Sequence, residues 1–133
     1  MANAEFKKEV KKNILGLSKN KLLAKSTKVW FEQSLVNKYS YNFTSFSVPI
    51  IQYPQDMVAL QEVIWQVKPD LVIEAGIAHG GSLIQSASVL AMIEYSEAVD
   101  SNSTIDPTRP NRKVLGLDID THHSEAKKRK LAA

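Results

Sequence analysis

Apolar residues recur every three or four positions in three stretches of the chain, and each stretch predicts a helix. The first covers residues 5–17 and leaves its other faces rich in lysine, so we expect its apolar stripe to be docked. The second covers residues 21–38. The third begins at Pro54, whose missing N–H costs nothing in a first helical turn, and it ends where Lys68 precedes Pro69.

Two stretches show neither a helical nor a strand period. Residues 39–53 are rich in aromatic and polar side chains, and we interpret them as an ordered connection that lies over another part of the protein. Residues 96–112 contain two Pro residues and several Ser, Asn and Asp residues. This composition predicts a long exposed loop.

Two short apolar runs predict strands. Residues 71–73 are continuously apolar, which is typical of a strand buried on both faces of a parallel sheet. Residues 114–117 predict a second strand of this kind. Between them, apolar residues from Leu83 to Ile93 predict a helix for which Ser82 can serve as the N-cap. Strand, glycine-rich turn, helix and strand make one βαβ unit, so the predicted fold class is α/β.

Composition narrows the class of protein. The chain has 133 residues, of which 44% are hydrophobic and 23% charged, as in an ordinary globular domain. It has no cysteine, which excludes disulfides, thiolate metal sites and cysteine nucleophiles. No apolar run is long enough to span a bilayer and no signal peptide opens the chain, so we predict a cytoplasmic protein without a membrane partner.

Charge is distributed unevenly along the chain. Residues 1–28 carry eight Lys and two Glu, and residues 121–133 carry four basic residues and one Glu. The region between them carries eleven acidic and five basic residues. Nucleic-acid binding requires basic and aromatic side chains interleaved on one folded surface, and neither basic end supplies them. We therefore predict no nucleic-acid partner.

Glycine is concentrated where the first strand gives way to the helix, at Gly76, Gly80 and Gly81. Open α/β sheets bind ligands at such junctions, and Gly76 can take the positive φ that lets a ligand approach the backbone. A phosphate-binding P-loop needs Lys and then Ser or Thr after its last glycine, but Ser82 and Leu83 follow here. The Gly-x-x-x-Gly-Gly spacing also differs from the Gly-x-Gly-x-x-Gly of dinucleotide enzymes.

Acidic residues accompany this turn on both strands. Glu74 precedes Gly76 by two positions, where its carboxylate can face the ammonium group of an amino-acid-like ligand such as S-adenosylmethionine. NAD would instead place its pyrophosphate there. Asp118 ends the second strand, where a carboxylate commonly takes the two ribose hydroxyls. It follows Gly76 by 42 positions, more than the roughly 20 usual in dinucleotide units, and the 96–112 loop can absorb the excess.

Each of these features also has a simpler explanation. A glycine-rich turn alone can serve tight packing, although the second strand ending in Asp118 weakens that interpretation. His79 can be a ligand-facing donor or a base, yet a lone loop histidine is more often simply solvated. Asp118, Asp120, His122 and His123 are metal-capable by residue type. Alternating side chains at a strand end need not converge, so we do not expect these four alone to complete a metal site.

Several blocks of the sequence resemble a known family. They are Tyr41-Asn42-Phe43-Thr44, residues 48–56, residues 68–82, and Gly116-Leu117-Asp118-Ile119-Asp120. Together they span about residues 39–120 and resemble the cephalosporin hydroxylase family, whose relatives include rhamnosyl O-methyltransferases. The combination is far more specific than any single glycine motif.

The resemblance implies a Rossmann-like class I methyltransferase fold, S-adenosylmethionine as cofactor, and a magnesium ion that orients substrate hydroxyls. By position, the resemblance implies that Glu74, Gly76 and Gly80 line the methionine end of the cofactor. It places Asp118 at the ribose or metal side. The candidate cofactor-binding residues are Glu74, Gly76, Ala78, His79, Gly80, Gly81, Ser82 and Asp118. The candidate metal ligands are Asp118 and Asp120. No catalytic residue is assigned. The sequence has no His-x-Asp pattern, which iron-dependent hydroxylases use to bind the metal, so methyl transfer is favoured over hydroxylation.

The sequence departs from the family pattern in two places. Ser45 and Ser47 replace an expected aromatic residue and glycine, so the cap over the cofactor is expected to differ. Residues 121–133 look unrelated to the further strands expected after Asp120. We therefore predict a helical extension over 1–38, the first part of a methyltransferase-like domain over 39–120, truncated after its second strand, and a disordered basic tail over 121–133.

The sequence thus predicts an S-adenosylmethionine-dependent O-methyltransferase, incomplete here, that acts on a hydroxyl group of a sugar or small metabolite. Two strands leave open sheet edges and a poorly covered apolar face, which suggests marginal stability or a homo-oligomer formed through an exposed edge. One alternative is a non-catalytic remnant or interaction module that pairs through those edges. A second alternative is an NAD-dependent Rossmann enzyme.

Overall fold

The computed structural model describes residues 4–119, and within them it combines helices with two small sheets. The elements in chain order are α1 (Ala4–Lys19), α2 (Lys21–Val36), a short 3-10 helix (Tyr39–Asn42), β1 (Phe43–Ser45), β2 (Val48–Ile50), α3 (Pro54–Val67), β3 (Leu71–Ala75), α4 (Gly81–Ser101) and β4 (Lys113–Leu117). The chain divides into two compact units, one ending at Tyr39 and the other beginning at Ser40. The described residues include no helix that is long and apolar enough to cross a membrane.

The first unit consists of α1 and α2. Asn20 separates the two helices, and its side-chain oxygen accepts the N–H of Leu23 at 2.9 Å, which caps α2. The apolar stripe of α1 includes Phe6 and Ile14, which are both more than half exposed, and α1 has no buried residue. The predicted docking of this stripe stays a prediction.

A β-hairpin opens the second unit, in the stretch that the sequence analysis interpreted as irregular. Its strands β1 and β2 are antiparallel, with Phe43 paired to Ile50 and Ser45 to Val48. The two turn residues, Phe46 and Ser47, have φ angles of 48° and 67°, as in the tight turns that suit the twist of a hairpin. The stretch does lie over another part of the protein, the start of α4, but the sequence analysis missed its strands because three-residue strands are too short to show alternation.

Helix α3 begins and ends as its sequence predicts. Pro54 occupies the first turn and Asp56 places a negative charge there, which complements the helix dipole. Lys68 ends the helix in the left-handed region, with a φ of 51°, and donates its N–H to the carbonyl oxygen of Ile64 at 2.8 Å. Pro69 follows at once, so the helix cannot continue.

Strands β3 and β4 are parallel, and α4 connects them, which confirms the βαβ unit. Their register pairs Leu71 with Lys113 and Ala75 with Leu117. One face of this sheet packs on the helices. The core consists of residues from α3 and α4 with partly buried neighbours from the same helices and the sheet: Ile64, Val89, Leu90 and Ile93, with Leu60, Val72 and Val114 against them.

The other face of the β3–β4 sheet is open to solvent. Ile73 is 60% exposed and its partner across the strands, Leu115, is 47% exposed. The prediction that these strands are buried on both faces is therefore wrong for the described residues. The error has a simple cause: a continuous apolar run indicates that both faces need cover, but not that the chain at hand provides it.

Helix α4 extends to Ser101 and so takes up the first part of the predicted 96–112 loop. Asn102 ends it with a φ of 50°. The shorter loop is anchored by Arg112, whose guanidinium contacts the Glu97 carboxylate with Nη1 to Oε2 at 2.9 Å and Nη2 to Oε1 at 3.3 Å. The backbone N–H of Arg112 also donates to Glu94 at 2.6 Å. These contacts tie the start of β4 to the side of α4.

The hairpin packs directly on the first residue of α4. A β-carbon placed on Gly81 would lie 2.4 Å from the carbonyl oxygen of Pro49 and 2.7 Å from the Cβ of Ile50. A β-carbon on Gly116 would also meet atoms at 2.7 Å, but these are the side-chain ends of Ile77 and Leu83. Backbone cannot move aside as a side-chain end can, so only Gly81 is fixed by a rigid neighbour.

We predict that Gly81→Ala lowers the free energy of unfolding by about 1–3 kcal/mol, because the hairpin backbone must move away from α4. Gly116→Ala is the matched control. Its cost should be smaller than that of Gly81→Ala, since the Leu83 side chain can move away and alanine is less costly than glycine inside a strand. Urea unfolding of both variants measures the difference. Equal losses would contradict the direct packing of the hairpin on α4.

Candidate functional site

The turn between β3 and α4 is built on three residues in the left-handed region. Gly76, Ala78 and Gly80 have φ angles of 81°, 43° and 86°. Gly80 also closes a tight turn by donating its N–H to the carbonyl oxygen of Ile77 at 2.7 Å. The two glycines adopt this conformation without steric cost, as the sequence analysis expected for Gly76. We refer to residues 76–80 as the glycine loop.

The backbone at Gly76 is open on the side where a β-carbon would lie. Among the described residues, apart from the two chain neighbours of Gly76, no atom comes within 4 Å of a β-carbon built there. The N–H of Gly76 donates to the carbonyl oxygen of Leu117 at 2.8 Å, so the strand pairing holds this residue in place. The glycine loop is therefore fixed on its strand side and leaves space for a ligand above Gly76.

Gly80, not Ser82, is the N-cap residue of α4. The predicted capping role of Ser82 is wrong because its hydroxyl lies inside the first turn and donates to the carboxylate of Glu74 instead. Among the described residues, no side chain accepts a hydrogen bond as a cap of α4. The positive end of the α4 dipole thus faces the glycine loop without a side-chain cap.

Asp118 holds the glycine loop from the end of β4. Its Oδ2 atom accepts the N–H of Ile77 at 2.7 Å and the N–H of Ala78 at 3.2 Å. A left-handed conformation costs a residue with a β-carbon about 1–2 kcal/mol. Hydrogen bonds to a charged group contribute about 1.5–3 kcal/mol each. The two bonds are therefore sufficient to offset the strain at Ala78.

Glu74 lies on the side of the sheet that carries α4, as its hydrogen bond from Ser82 shows. Burial raises the pKa of the Glu74 carboxyl above its ordinary value, and the hydrogen bond from Ser82 opposes part of this rise. A half-buried carboxylate of this kind favours a cationic neighbour. The ammonium group of an amino acid is one chemical group that fits.

The structure brings most of the predicted site residues to one place. The residues that form or border the glycine loop are Glu74, Gly76, Ala78, His79, Gly80, Gly81, Ser82 and Asp118. His79 is half-buried within the turn. Asp120, His122 and His123 lie outside the described residues. The Glu74 carboxylate contacts Ser82 in the first turn of α4, whereas the Asp118 carboxylate contacts the glycine loop at Ile77 and Ala78.

The predicted magnesium ligands are Asp118 and Asp120, of which Asp120 lies outside the described residues, so the magnesium site stays a prediction. Residues 4–119 contain no group of three or more acidic or histidine side chains placed to hold a metal ion. Within this range, Asp118 accepts two backbone N–H groups at its Oδ2 atom.

Sequence reasoning missed two residues of this site. Ile77 is buried and donates its N–H to Asp118, and Pro49 places its carbonyl against the start of α4. Neither role has a signature in the local sequence, because both depend on contacts with distant segments. An apolar hollow of about 400 Å³ between α3 and α4, lined in part by Trp65 and Met92, lies apart from the glycine loop.

A parallel βαβ unit with a glycine-rich strand-to-helix turn and an acidic residue on each strand defines the class of protein. This is the arrangement by which open α/β proteins bind nucleotide-like ligands at the carboxyl ends of their strands. The absence of Lys followed by Ser or Thr after Gly81 excludes the P-loop subclass.

A family model narrows this class further. The model described as rhamnosyl O-methyltransferase/CmcI matches residues 37–132, well over half of the chain, so the protein belongs to this family. The match confirms the resemblance to the cephalosporin hydroxylase family noted in the sequence. No individual curated protein and no solved structure gives a significant match.

Glu74 and Glu97 are expected to affect stability in opposite directions as the pH changes. The raised pKa of Glu74 means that stability falls as the pH rises from about 4.3, the ordinary value, through the higher folded value. We predict that Glu74→Gln raises the melting temperature near pH 7. This gain should shrink as the pH falls and disappear by about pH 3, where the wild-type carboxyl is protonated in both the folded and the unfolded state.

Glu97→Gln is the control, and we expect it to lower the melting temperature near pH 7. The hydrogen bond from Arg112 is the largest cause that lowers the pKa of Glu97, with Lys68 adding to it. Its stabilising effect is present above about pH 4.3 and is lost as the pH falls through the lower folded pKa. Thermal melts of both variants from pH 3 to 7 check the prediction. A Glu74→Gln effect independent of pH would contradict the burial of its charge.

Proposed function

We propose that the glycine loop binds S-adenosylmethionine and that the protein acts in, or derives from, methyl transfer to a hydroxyl group of a sugar or small metabolite. The observation that carries this proposal is the open backbone at Gly76 between two acidic side chains at the carboxyl ends of β3 and β4. Membership of an O-methyltransferase family supports it. The Rossmann-like class I methyltransferase fold, present here in part, belongs to the same proposal.

Each end of the loop suits a different part of this cofactor. Glu74 would face the ammonium group, because its half-buried carboxylate is stabilised by a positive charge. The open backbone at Gly76 and the start of α4 would lie along the methionine portion. Asp118 at the end of β4 would take the ribose hydroxyls, as carboxylates in this position commonly do.

When bound, S-adenosylmethionine supplies a methyl group on a positively charged sulfur. The contribution of the chain is to hold this group and exclude competing orientations, so that an acceptor hydroxyl can approach in line with the bond that breaks. The proton of that hydroxyl must leave as the new carbon–oxygen bond forms. We assign no catalytic base, and magnesium is not part of the proposed chemistry of residues 4–119.

We predict saturable calorimetric binding of S-adenosylmethionine by the wild-type chain and binding weakened about tenfold or more by Gly76→Ala. Alanine at a φ of 81° is strained by about 1–2 kcal/mol, and its methyl group enters the open space above the loop. Gly16→Ala is the matched control, because Gly16 lies in α1 and also has no atom within 4 Å of an added β-carbon.

The control variant should bind as the wild type does, and NAD should produce no saturable heat. Heat with NAD in place of S-adenosylmethionine would support a dinucleotide enzyme. A folded wild-type chain that gives no heat at millimolar S-adenosylmethionine would contradict cofactor binding. That outcome would favour a non-catalytic remnant.

The open face of the β3–β4 sheet supports a second candidate, an interaction module that pairs with a second copy of the chain. Ile73, Leu115 and Leu117 are 60%, 47% and 53% exposed on this face. Apolar side chains gathered on one sheet face commonly mark an association surface, and strands without neighbours offer backbone groups for pairing. Two copies can bring the same face together about a two-fold axis.

We predict that the wild-type chain forms dimers at micromolar concentration and that Ile73→Lys shifts it toward monomers. The lysine places a charge in the centre of the apolar face, and that charge is costly to bury. Val58→Lys is the matched control, because Val58 lies on α3 and is similarly exposed, at 57%. Sedimentation velocity checks the prediction. A monomeric wild type, or equal effects of both variants, would contradict pairing through this face.

A further inference from the structure

We infer that Asp118 is a positioning residue that sets the conformation of the glycine loop before any ligand is bound. Its role in the proposed function is therefore more than a contact to ribose. The carboxylate forms two hydrogen bonds to adjacent backbone N–H groups of the loop, those of Ile77 and Ala78. The consequence for cofactor affinity rests on the proposed function, whereas the effect on the loop does not.

The position of these two bonds explains why one side chain can control the loop. They are formed by the two N–H groups on either side of the α-carbon of Ile77, and the second of these N–H groups belongs to Ala78, the loop residue with a β-carbon at positive φ. Gly76 and Gly80 need no support for the same conformation. Asp118 therefore accepts a hydrogen bond from the strained residue of the loop, Ala78.

The surrounding contacts fix the carboxylate as well as the loop. The N–H of Gly76 is bonded to the carbonyl oxygen of Leu117, the residue before Asp118, at 2.8 Å. The N–H of Gly80 donates to the carbonyl oxygen of Ile77 at 2.7 Å. A backbone hydrogen bond therefore holds each end of the loop. Asp118 bonds to the segment between these two hydrogen bonds. Loss of its carboxylate would release this middle segment and leave both hydrogen bonds intact.

Two simpler roles for Asp118 make different predictions. A residue that only binds ribose would leave the ligand-free loop unchanged when it is replaced. A residue that only stabilises the fold would loosen the whole βαβ unit. A positioning residue would loosen the glycine loop while the core of α4, including the fully buried Ile93, stays protected.

The test is amide hydrogen exchange, measured by nuclear magnetic resonance on the ligand-free chain. Asp118→Ala should speed exchange at Ile77 and Ala78 about tenfold or more, with Ile93 unchanged. Asp118→Asn should restore most of the protection, because its side-chain oxygen accepts the same two bonds. Asp106→Ala is the matched control, because Asp106 also accepts a backbone N–H, from Thr108 at 2.9 Å, in an exposed loop away from the site.

A double-mutant cycle with Ala78→Gly tests the link to backbone strain. Glycine needs no support at positive φ, so Asp118→Ala should cost less stability in the Ala78→Gly background than in the wild type. Additive effects would overturn the proposed link. If Asp118→Ala does not fold alone, wild-type protein provides a direct measurement: scalar coupling across the hydrogen bond from the Ile77 amide nitrogen to the Asp118 carboxylate carbon.

Calorimetry with S-adenosylmethionine then separates this inference from the proposed function. If the wild type binds, Asp118→Ala should weaken binding and Asp118→Asn should weaken it less. If the wild type does not bind, cofactor binding fails, yet the exchange measurement still decides the role of Asp118. Unchanged exchange at Ile77 and Ala78 in Asp118→Ala, or absence of the scalar coupling in the wild type, would overturn the inference.

Discussion

The passage from β3 to α4 is the constraint on which the described βαβ unit depends. The chain must leave a strand and enter a helix within five residues, and three of them take a positive φ. Glycine meets this requirement at positions 76 and 80, but position 78 carries alanine and needs support from outside the loop. Asp118 gives that support from the neighbouring strand. The pairing of β3 with β4 and the shape of the loop are therefore linked.

Other contacts hold this junction from both ends. The hairpin rests against Gly81 at the start of α4, and the core around Ile93 anchors the middle of the helix. Arg112 and Glu97 tie the beginning of β4 to α4, so the strand that ends in Asp118 is fixed at its far end. The site thus lies at the surface of the βαβ unit, and contacts at both ends of α4 and β4 support it. The sheet face that does not pack on the helices is apolar and exposed.

The same side-chain type serves opposite electrostatic purposes in this framework. Glu97 lies between two cations, and the hydrogen bond from Arg112 holds its pKa below the ordinary value. Glu74 lies half-buried with a hydroxyl for a partner, and its burial raises the pKa. The first arrangement stabilises the fold at neutral pH, whereas the second carries a cost there. In the proposed function, the ammonium group of the cofactor would remove that cost.

The sequence by itself determined the third helix, the βαβ order, and the glycines and acids that surround the turn, because these features depend on local periodicity and backbone freedom. It also identified the family. Only the tertiary structure decided that residues 43–50 form a hairpin and that Ser82 donates a hydrogen bond to Glu74. It also decided that Asp118 accepts hydrogen bonds from the N–H groups of Ile77 and Ala78. Those contacts join residues distant in sequence, and their geometry is set by packing and strand register, which local pattern does not specify.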